Sequence, residues 1–414
     1  MKDLFIVGMG LSARDLTAEQ MKIIRSADIL MGSRRLLQQF EAFAMEKTVI
    51  TGRVDEVVAF IRNRREKSRI VVLASGDPLF FGIGARIVGD LDPEQVTVLP
   101  NVTSIAAAFA RIKEPWNDAK IISLHGRDGR YKLLAALKRH GVVAVLTDAR
   151  QSPQWLAGWL LGKALQGVKM AVFENLGAPE EAFGWYALEQ AVGRSFAQPN
   201  VVVLKASGQG PKVDALTLGM ADDAYHHQDG LITKSEVRAV ALAKLRLKRG
   251  MTLWDLGAGS GSVGLEASVL LGHGRIIAVE QDGDRVVQIR QNARRYGVYN
   301  HEVIQARLPR GLEHLPPPNR IFIGGGGGNL AAIIEAAIPY LAPDGMIVAN
   351  TVLLDNLTRA VSTMTGHGLA TEVIQVQVSR SKTMPWSQRL EAQNPVWVIA
   401  GSRLPGIAAT KDDA

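Results

Sequence analysis

The stretch Leu253-Trp254-Asp255-Leu256-Gly257-Ala258-Gly259-Ser260-Gly261-Ser262-Val263-Gly264 passes from an apolar β-rich run straight into a glycine turn and then a helical pattern. Glycine has no side chain to hold a ligand away, so such a turn lets backbone approach a bound molecule closely. Two chemistries compete for it. Gly259, Gly261 and Gly264 form a G-x-G-x-x-G run, which a dinucleotide turn also uses. Asp255 tilts the choice. Two residues before Gly257, at the strand end, its carboxylate can accept hydrogen bonds from an amino-acid ammonium group, whereas beside a pyrophosphate it would repel the ligand. Asp255 followed by G-x-G-x-G over Gly257, Ala258, Gly259, Ser260 and Gly261 therefore points to S-adenosylmethionine rather than NAD. The next strand ends in Val279-Glu280, where an acid can bind both ribose hydroxyls.

Further signals converge on this half. In Leu231-Ile232-Thr233-Lys234-Ser235-Glu236-Val237-Arg238 a Thr is followed three residues later by Glu, which reads as a capping box opening a helix. The place of Thr233 just before the cofactor strand also suits a ligand contact. Ile323 precedes five consecutive glycines, Gly324 to Gly328, and then Asn329. So much backbone freedom is costly in folding entropy, so the run is expected to lie close to a ligand.

The first half carries a different set. Val7-Gly8-Met9-Gly10-Leu11-Ser12 ends the first strand with two glycines, and Ala74-Ser75-Gly76-Asp77-Pro78-Leu79-Phe80-Phe81-Gly82 is a second strand-end turn. Pro100-Asn101-Val102-Thr103-Ser104 opens a helix with hydroxyls, which are caps by default. Ser123-Leu124-His125-Gly126-Arg127 offers an imidazole and a guanidinium at a strand's C-terminal end, where ligands of open α/β sheets gather.

The elements that must position these residues alternate throughout between short β-rich runs and helical patterns, as expected of parallel sheets built from βαβ units. In the first half strands are predicted at 4–8, 70–74, 120–123, 142–147, 169–174 and 200–205, with helices such as 17–27, 83–88 and 104–110. The second half begins with a helix from about Thr233. Its strands are predicted at 251–255, 275–280, 302–305, 320–324 and 346–350, followed by two long β patterns. Ala206-Ser207-Gly208-Gln209-Gly210-Pro211 marks the boundary between halves. The predicted organisation is an α/β domain over 1–206, a linker over 207–224, a second α/β domain over 225–405 and a loose tail over 406–414. A chain of 414 residues is too long for one ordinary core, which agrees with two domains. Its 47% hydrophobic and 21% charged residues are the balance of a globular α/β protein. The absence of cysteine excludes disulfides, thiolate catalysis, iron–sulfur clusters and Cys-based zinc sites. No metal site is expected. No apolar stretch approaches the roughly 20 residues that span a bilayer and the N-terminal run is too short for a signal sequence, so a cytoplasmic enzyme is the expectation. The formal charge of +8 is scattered and by itself does not choose between nucleic acid, a membrane surface and a small polyanion.

These residues carry a family resemblance. The first half resembles the tetrapyrrole methyltransferases of corrin and sirohaem synthesis, through the opening glycine loop, Gly32-Ser33-Arg34-Arg35-Leu36, Gly76 to Gly82 and Ser123 to Arg127. The Gly-Ser-Arg-Arg and Ser-Leu-His-Gly-Arg strings look like the branch that methylates C5 in cobalamin synthesis. The second half is similar to the Rossmann-like (class I) methyltransferases that methylate C15 and decarboxylate the C12 acetate, through Thr233 to Arg238 and Asp255 to Gly261. The resemblance implies a tetrapyrrole methyltransferase-type α/β domain followed by a Rossmann-like one, each with its own S-adenosylmethionine. It places Gly8, Gly10, Gly76, Asp77, Thr103 and Ser104 near cofactor in the first half. In the second it places there Thr233, Asp255, Gly257 to Gly261, Glu280 and the turn of Ala306 and Leu308. Leu11 and Ser12 stand where many relatives have Pro-Gly, and Arg307 stands where related enzymes commonly carry an acid.

A sulfonium methyl is already electrophilic, so the protein needs only to align it with a nucleophilic ring carbon and exclude water. Candidate substrate-positioning residues are His125 and Arg127 in the first half. In the second half Lys234, Arg238 and Arg307 are candidates to grip carboxylates of a polycarboxylate tetrapyrrole, since Arg pairs bidentately with such groups. Relatives imply a homo-oligomer, with neither nucleic acid nor membrane as partner. The alternative is a nucleic-acid methyltransferase using the C-terminal site, disfavoured because there is no interleaved basic and aromatic stripe and no Asn/Asp-Pro-Pro-Tyr/Phe base pocket. A nicotinamide oxidoreductase is disfavoured by Asp255, and a tetrapyrrole carrier would bind the ring without turnover.

Overall fold

In the computed structural model residues 3–403 are described, apart from 127, 164, 166, 207–212, 229 and 325. The chain divides into two units, one of residues 1–129 and 136–210 and the other of residues 130–135 and 211–414.

The first unit begins with β1 (Leu4–Gly8), β2 (Ile29–Gly32), β3 (Glu46–Val49), β4 (Ile70–Ala74) and β5 (Val96–Leu99). They form one parallel sheet in the order β3-β2-β4-β1-β5. Helices cover both faces, which is why the central strands are apolar on successive residues rather than alternate ones. Leu4 and Ile6 enter one core cluster with Ile61 and Ile87, while Val7 enters the other with Ile24 and Leu37.

A second sheet follows, made of β6 (Lys120–Ser123), β7 (Val142–Leu146), β8 (Val168–Glu174), β9 (Ala182–Ala187) and β10 (Asn200–Ala206), in the order β6-β7-β10-β8-β9. Only β6 and β7 are parallel; the other pairs are antiparallel. The expectation of parallel sheets throughout is thus corrected here. The turn from β8 to β9 is too short for the crossover that a parallel neighbour requires, and it folds as a hairpin.

In the second unit β11 (Thr252–Leu256), β12 (Arg275–Glu280), β13 (His301–Gln305), β14 (Arg320–Ile323), β15 (Met346–Thr351), β16 (Leu369–Val376) and β19 (Val396–Arg403) form a seven-stranded sheet. The order is β13-β12-β11-β14-β15-β19-β16, parallel as far as β15 and antiparallel beyond. Trp254 is fully buried on one face, and its indole N–H donates to the Pro316 carbonyl at 3.0 Å, which satisfies its one polar atom. Between β16 and β19 the chain makes a ribbon of β17 (Ser379–Met384) and β18 (Ser387–Ala392). Every residue of β18 is exposed, so its strand carries no apolar alternation that sequence could show. Residues 213–224, expected as linker, pack on this unit instead: Leu216 and Met220 join a cluster with Tyr225, Leu265 and Tyr296. Residues 207–212 and the expected tail over 406–414 lie outside the described residues. Among the described residues no helix is long and apolar enough to cross a membrane.

Because β1, β4 and β5 run in parallel, their following loops emerge together at one edge. There Gly10 and Gly76 exchange backbone hydrogen bonds of 3.3 and 3.0 Å, and Asn101 Nδ2 donates to the Gly8 carbonyl at 2.9 Å. A side chain at Gly8 has no room: a Cβ would lie 2.7 Å from the Gly76 oxygen and 2.9 Å from Asn101 Cβ. Gly8→Ala should therefore lower the unfolding free energy by about 1–3 kcal/mol, the usual cost of overpacking. Urea denaturation checks this, and an unchanged midpoint would show that the three loops separate freely.

Candidate functional sites

The first unit holds a cleft of about 490 Å³ at this edge, lined by both of its sheets. Of the predicted residues, Gly10, Gly76, Asp77, Thr103, Ser104 and His125 line it. Gly8 sits behind them as packing, and Arg127 lies outside the described residues. Gly10 (φ +60°) and Gly76 (φ +62°) adopt the left-handed backbone that favours glycine. Asp77 Oδ1 accepts the Leu79 N–H at 2.9 Å and so shapes the turn after β4. Thr103 caps the helix Ser104–Ile112, its Oγ1 accepting the Ala106 N–H at 3.0 Å, and also faces the cleft. The turn carrying His125 is fastened from behind. Asp148 accepts the N–H groups of Gly126, Arg150 and Gln151, and these bonds, that of Gln151 foremost, hold its carboxyl below the usual range. Sequence reasoning missed Arg35, Ser75, Thr147, Asn200 and Phe81 as lining residues. Phe81 has φ +55°, a strained conformation for a bulky residue that no sequence pattern shows.

The second unit has a cleft of about 460 Å³ at the C-terminal ends of β11, β14 and β15. Thr233, Lys234, Gly257, Ala258, Gly259 and Ser260 line it, as do Gly324, Gly326 and Gly327 of the glycine run. Gly257, Gly259 and Gly261 have φ of +70°, +59° and +75°. They differ in what they face. A Cβ at Gly261 would meet Ile289 Cγ2 at 2.9 Å, so this position is set by packing, whereas a Cβ at Gly259 would meet nothing within 4 Å. Backbone without a side chain next to open space is what a closely bound ligand needs.

Several of the expected residues stand away from the cleft lining. Asp255 is fully buried and does not line the cleft; Oδ2 accepts the Gly264 N–H at 3.0 Å, pinning the glycine turn to the helix Ser262–Leu271. Burial, with the nearby Glu280 charge adding to it, pushes its pKa up to about 7. Glu280 is likewise turned to backbone, accepting from Gly259, Gln281 and Asp282 at 2.8, 2.9 and 3.1 Å, and it does not line the cleft. Ala306 and Leu308 pack on the sheet's core, and Arg307 is exposed beside them; none of the three lines the cleft.

Arg238 does grip a carboxylate, but one of its own chain. Fully buried, it donates through Nε to Glu266 Oε1 at 2.8 Å, and its other nitrogens donate to the Thr233 and Met220 carbonyls. The capping box over Thr233 and Glu236 does not form either. Lys234 is the N-cap residue of the helix Ser235–Leu245, Asp222 Oδ1 accepts the Ser235 N–H, and Glu236 is taken by Arg380 of β17 at 2.6 Å. That guanidinium is a stronger partner than a backbone amide and pulls the Glu236 pKa down to about 2. Lys234 keeps its place at the cleft, 3.6 Å from Asp222. Sequence reasoning missed Arg285, Asn350, Thr351 and Asn356.

Comparison with known proteins places both units. Residues 3–191 match the family model described as tetrapyrrole (corrin/porphyrin) methylases, and residues 223–401 match the precorrin methyltransferase domain. A precorrin-6Y C(5,15)-methyltransferase [decarboxylating] of Sinorhizobium sp. is 33% identical over 85% of this chain and 85% of its own. The chain belongs to the precorrin-6Y C5,15-methyltransferase (decarboxylating) family. A cobalt-precorrin-7 C(5)-methyltransferase of Salmonella typhimurium is 37% identical over 49% of this chain and 98% of its own. A crystal structure of precorrin-6Y C5,15-methyltransferase from Geobacter metallireducens is 43% identical, covers 45% of this chain and 97% of its own, and has a TM-score of 0.43. Precorrin methyltransferases of this family use S-adenosylmethionine. The two-domain α/β methyltransferase architecture expected from sequence is the one found.

Two stability effects follow from the buried charges. Arg238→Ala strands a buried Glu266 and should cost about 3–5 kcal/mol in denaturant unfolding; a cost under about 1 kcal/mol would mean the pair is dispensable. For Asp255 the folded pKa lies above its unfolded value, so the folded state binds the extra proton. Its contribution to stability is complete below the unfolded value near pH 3.8 and is lost as pH rises through about 7. The stability of the parent protein relative to Asp255→Asn should therefore fall between about pH 4 and pH 7; a flat difference would show that the carboxyl is ionised throughout.

Proposed function

We propose that this chain carries out S-adenosylmethionine-dependent methylation of precorrin-6Y at C5 and C15, with decarboxylation of the C12 acetate, on the way to cobalamin, and that each unit holds its own S-adenosylmethionine. The supporting observation is the pair of similar clefts, one per unit, each at the C-terminal edge of parallel strands and each floored by glycine backbone. The open space over Gly259 in the second cleft, and Ser75 and Ser104 among the apolar walls of the first, fit a nucleoside-bearing amino acid. C5 methylation is assigned to the first cleft and C15 methylation with decarboxylation to the second.

When bound, S-adenosylmethionine supplies an electrophilic methyl group. The protein's share of the work is alignment and exclusion of water. In the first cleft Gly10, Gly76, Asp77, Thr103 and Ser104 form the cofactor wall, and His125 meets the tetrapyrrole from the opposite sheet. In the second, Gly257 to Ser260 and Thr233 serve the cofactor. Among the described residues that line this cleft Lys234 and Arg285 are cations and none is a carboxylate, which suits a polycarboxylate macrocycle.

Mass spectrometry of precorrin-6Y incubated with S-adenosylmethionine and the protein tests the reading. The parent protein should add two methyl groups and release one carbon dioxide. Gly259→Ala, which places a methyl in the second cleft, should slow the decarboxylating step about 10–100-fold; Asp77→Ala should slow the C5 step. No change of mass despite S-adenosylmethionine binding would refute the corrin assignment and favour a nucleic-acid substrate.

A further inference from the structure

Asn350, near the end of β15, lines the second cleft, yet among the described residues neither its Nδ2 nor its Oδ1 has a hydrogen-bond partner, although both atoms are shielded from solvent. Buried amides are nearly always paired, because an unpaired one has lost water without replacement. A side chain left so in a binding cleft points to a partner supplied by the ligand. Its place along the sheet says which part. Going from β11 to β14 to β15 crosses two strand spacings, about 10 Å, so Asn350 stands well away from the glycine turn after β11. The cleft's lining also includes the apolar Leu231, Ile232, Val352 and Leu353, and among the described lining residues the charged ones, Lys234 and Arg285, are positive.

We propose that Asn350 binds the acetate arm that loses carbon dioxide, its amide N–H donating to the carboxylate. The inference rests on the assignment of C15 methylation and decarboxylation to this cleft. Adding a methyl cation equivalent to the ring leaves it with one positive charge. Cleavage of the bond between the acetate methylene and its carboxylate then releases carbon dioxide, and the bonding pair enters the ring and cancels that charge. A cation held on the carboxylate would stabilise the charge where it starts and oppose its movement. A neutral amide fixes the carboxylate's direction without doing so, and apolar walls keep water from solvating it.

Asn350→Leu, nearly isosteric, tests this through three readouts on the full chain. An unpaired buried amide contributes nothing to the free protein, so the variant should melt at or above the parent temperature. Its affinity for S-adenosylmethionine by calorimetry should be unchanged within about twofold. Carbon dioxide release from precorrin-6Y should fall about tenfold or more, with a raised KM for the precorrin. Decarboxylation at the parent rate would overturn the proposal, as would a matching loss of S-adenosylmethionine affinity, which would assign the amide to the cofactor. A lowered melting temperature would also overturn it, by showing that Asn350 serves the fold. Asn350→Asp, which sets a negative charge against the acetate, should slow release at least as much; parent activity there would be equally fatal. If the parent protein itself released no carbon dioxide, the underlying assignment would fail, a result distinct from an active parent with an unaffected variant.

Discussion

The second site hangs on one buried ion pair. Glu266, in the middle of the helix Ser262–Leu271, accepts four hydrogen bonds: the N–H groups of Gly219 and Met220, the Tyr225 hydroxyl and Arg238 Nε. Arg238 spends its remaining nitrogens on the Met220 and Thr233 carbonyls and lies 5.2 Å from the centre of the Tyr225 ring. Taking two charges out of water is expensive, and only a full set of partners makes such a pair tolerable. Here the partners come from three separate segments, which are thereby fixed to one another. The loop bearing Thr233 and Lys234 owes its place to this pair. The same coordination explains why residues 213–224 are structure and not slack chain, since Gly219 and Met220 complete the carboxylate's shell.

A second layer of carboxylates works in the same way on the opposite wall. Asp255 fastens the glycine turn to the following helix and Glu280 fastens it to the end of β12. Neither lines the cleft. The turn is thus shaped by acids that do not line the cleft, while bare backbone at Gly257 and Gly259 does, together with the cations Lys234 and Arg285. In the first unit two glycine loops are hydrogen-bonded directly to each other, the Asn101 amide donates to the Gly8 carbonyl, and the carboxylates of Asp15 and Asp77 accept N–H groups within their own turns.

What could be read in the sequence was what depends on local pattern. Strands ending in glycine turns, the division into two α/β halves and the identity of the loops that meet at each cleft all leave marks in spacing and hydropathy. Partner choice leaves none. Nothing in the string Thr233 to Arg238 says that Glu236 will face Arg380, 144 residues away, or that Arg238 will face Glu266. A capping box and a substrate-gripping guanidinium were reasonable local readings, and longer-range partners displaced both. The antiparallel part of the second sheet was hidden for a related reason: apolar runs such as 168–174 and 200–206 look alike whichever way their neighbours run. Asn350 was invisible because it and Thr351 simply close an apolar strand, Met346–Thr351, and its meaning lies in what fails to surround it.

The charge behind the glycine turn also bears on what the turn can hold. Burial pushes the Asp255 pKa up to about 7, and the nearby Glu280 charge adds to the rise. A positive charge in the cleft beyond the glycine backbone would favour the ionised form of Asp255. An anionic pyrophosphate at the same turn would raise the cost of that ionisation instead. The sequence argument for a cationic ligand rested on direct contact with Asp255; the structure sets that carboxyl behind the turn, where its Oδ2 accepts the Gly264 N–H and its charge bears on the turn through the backbone it positions.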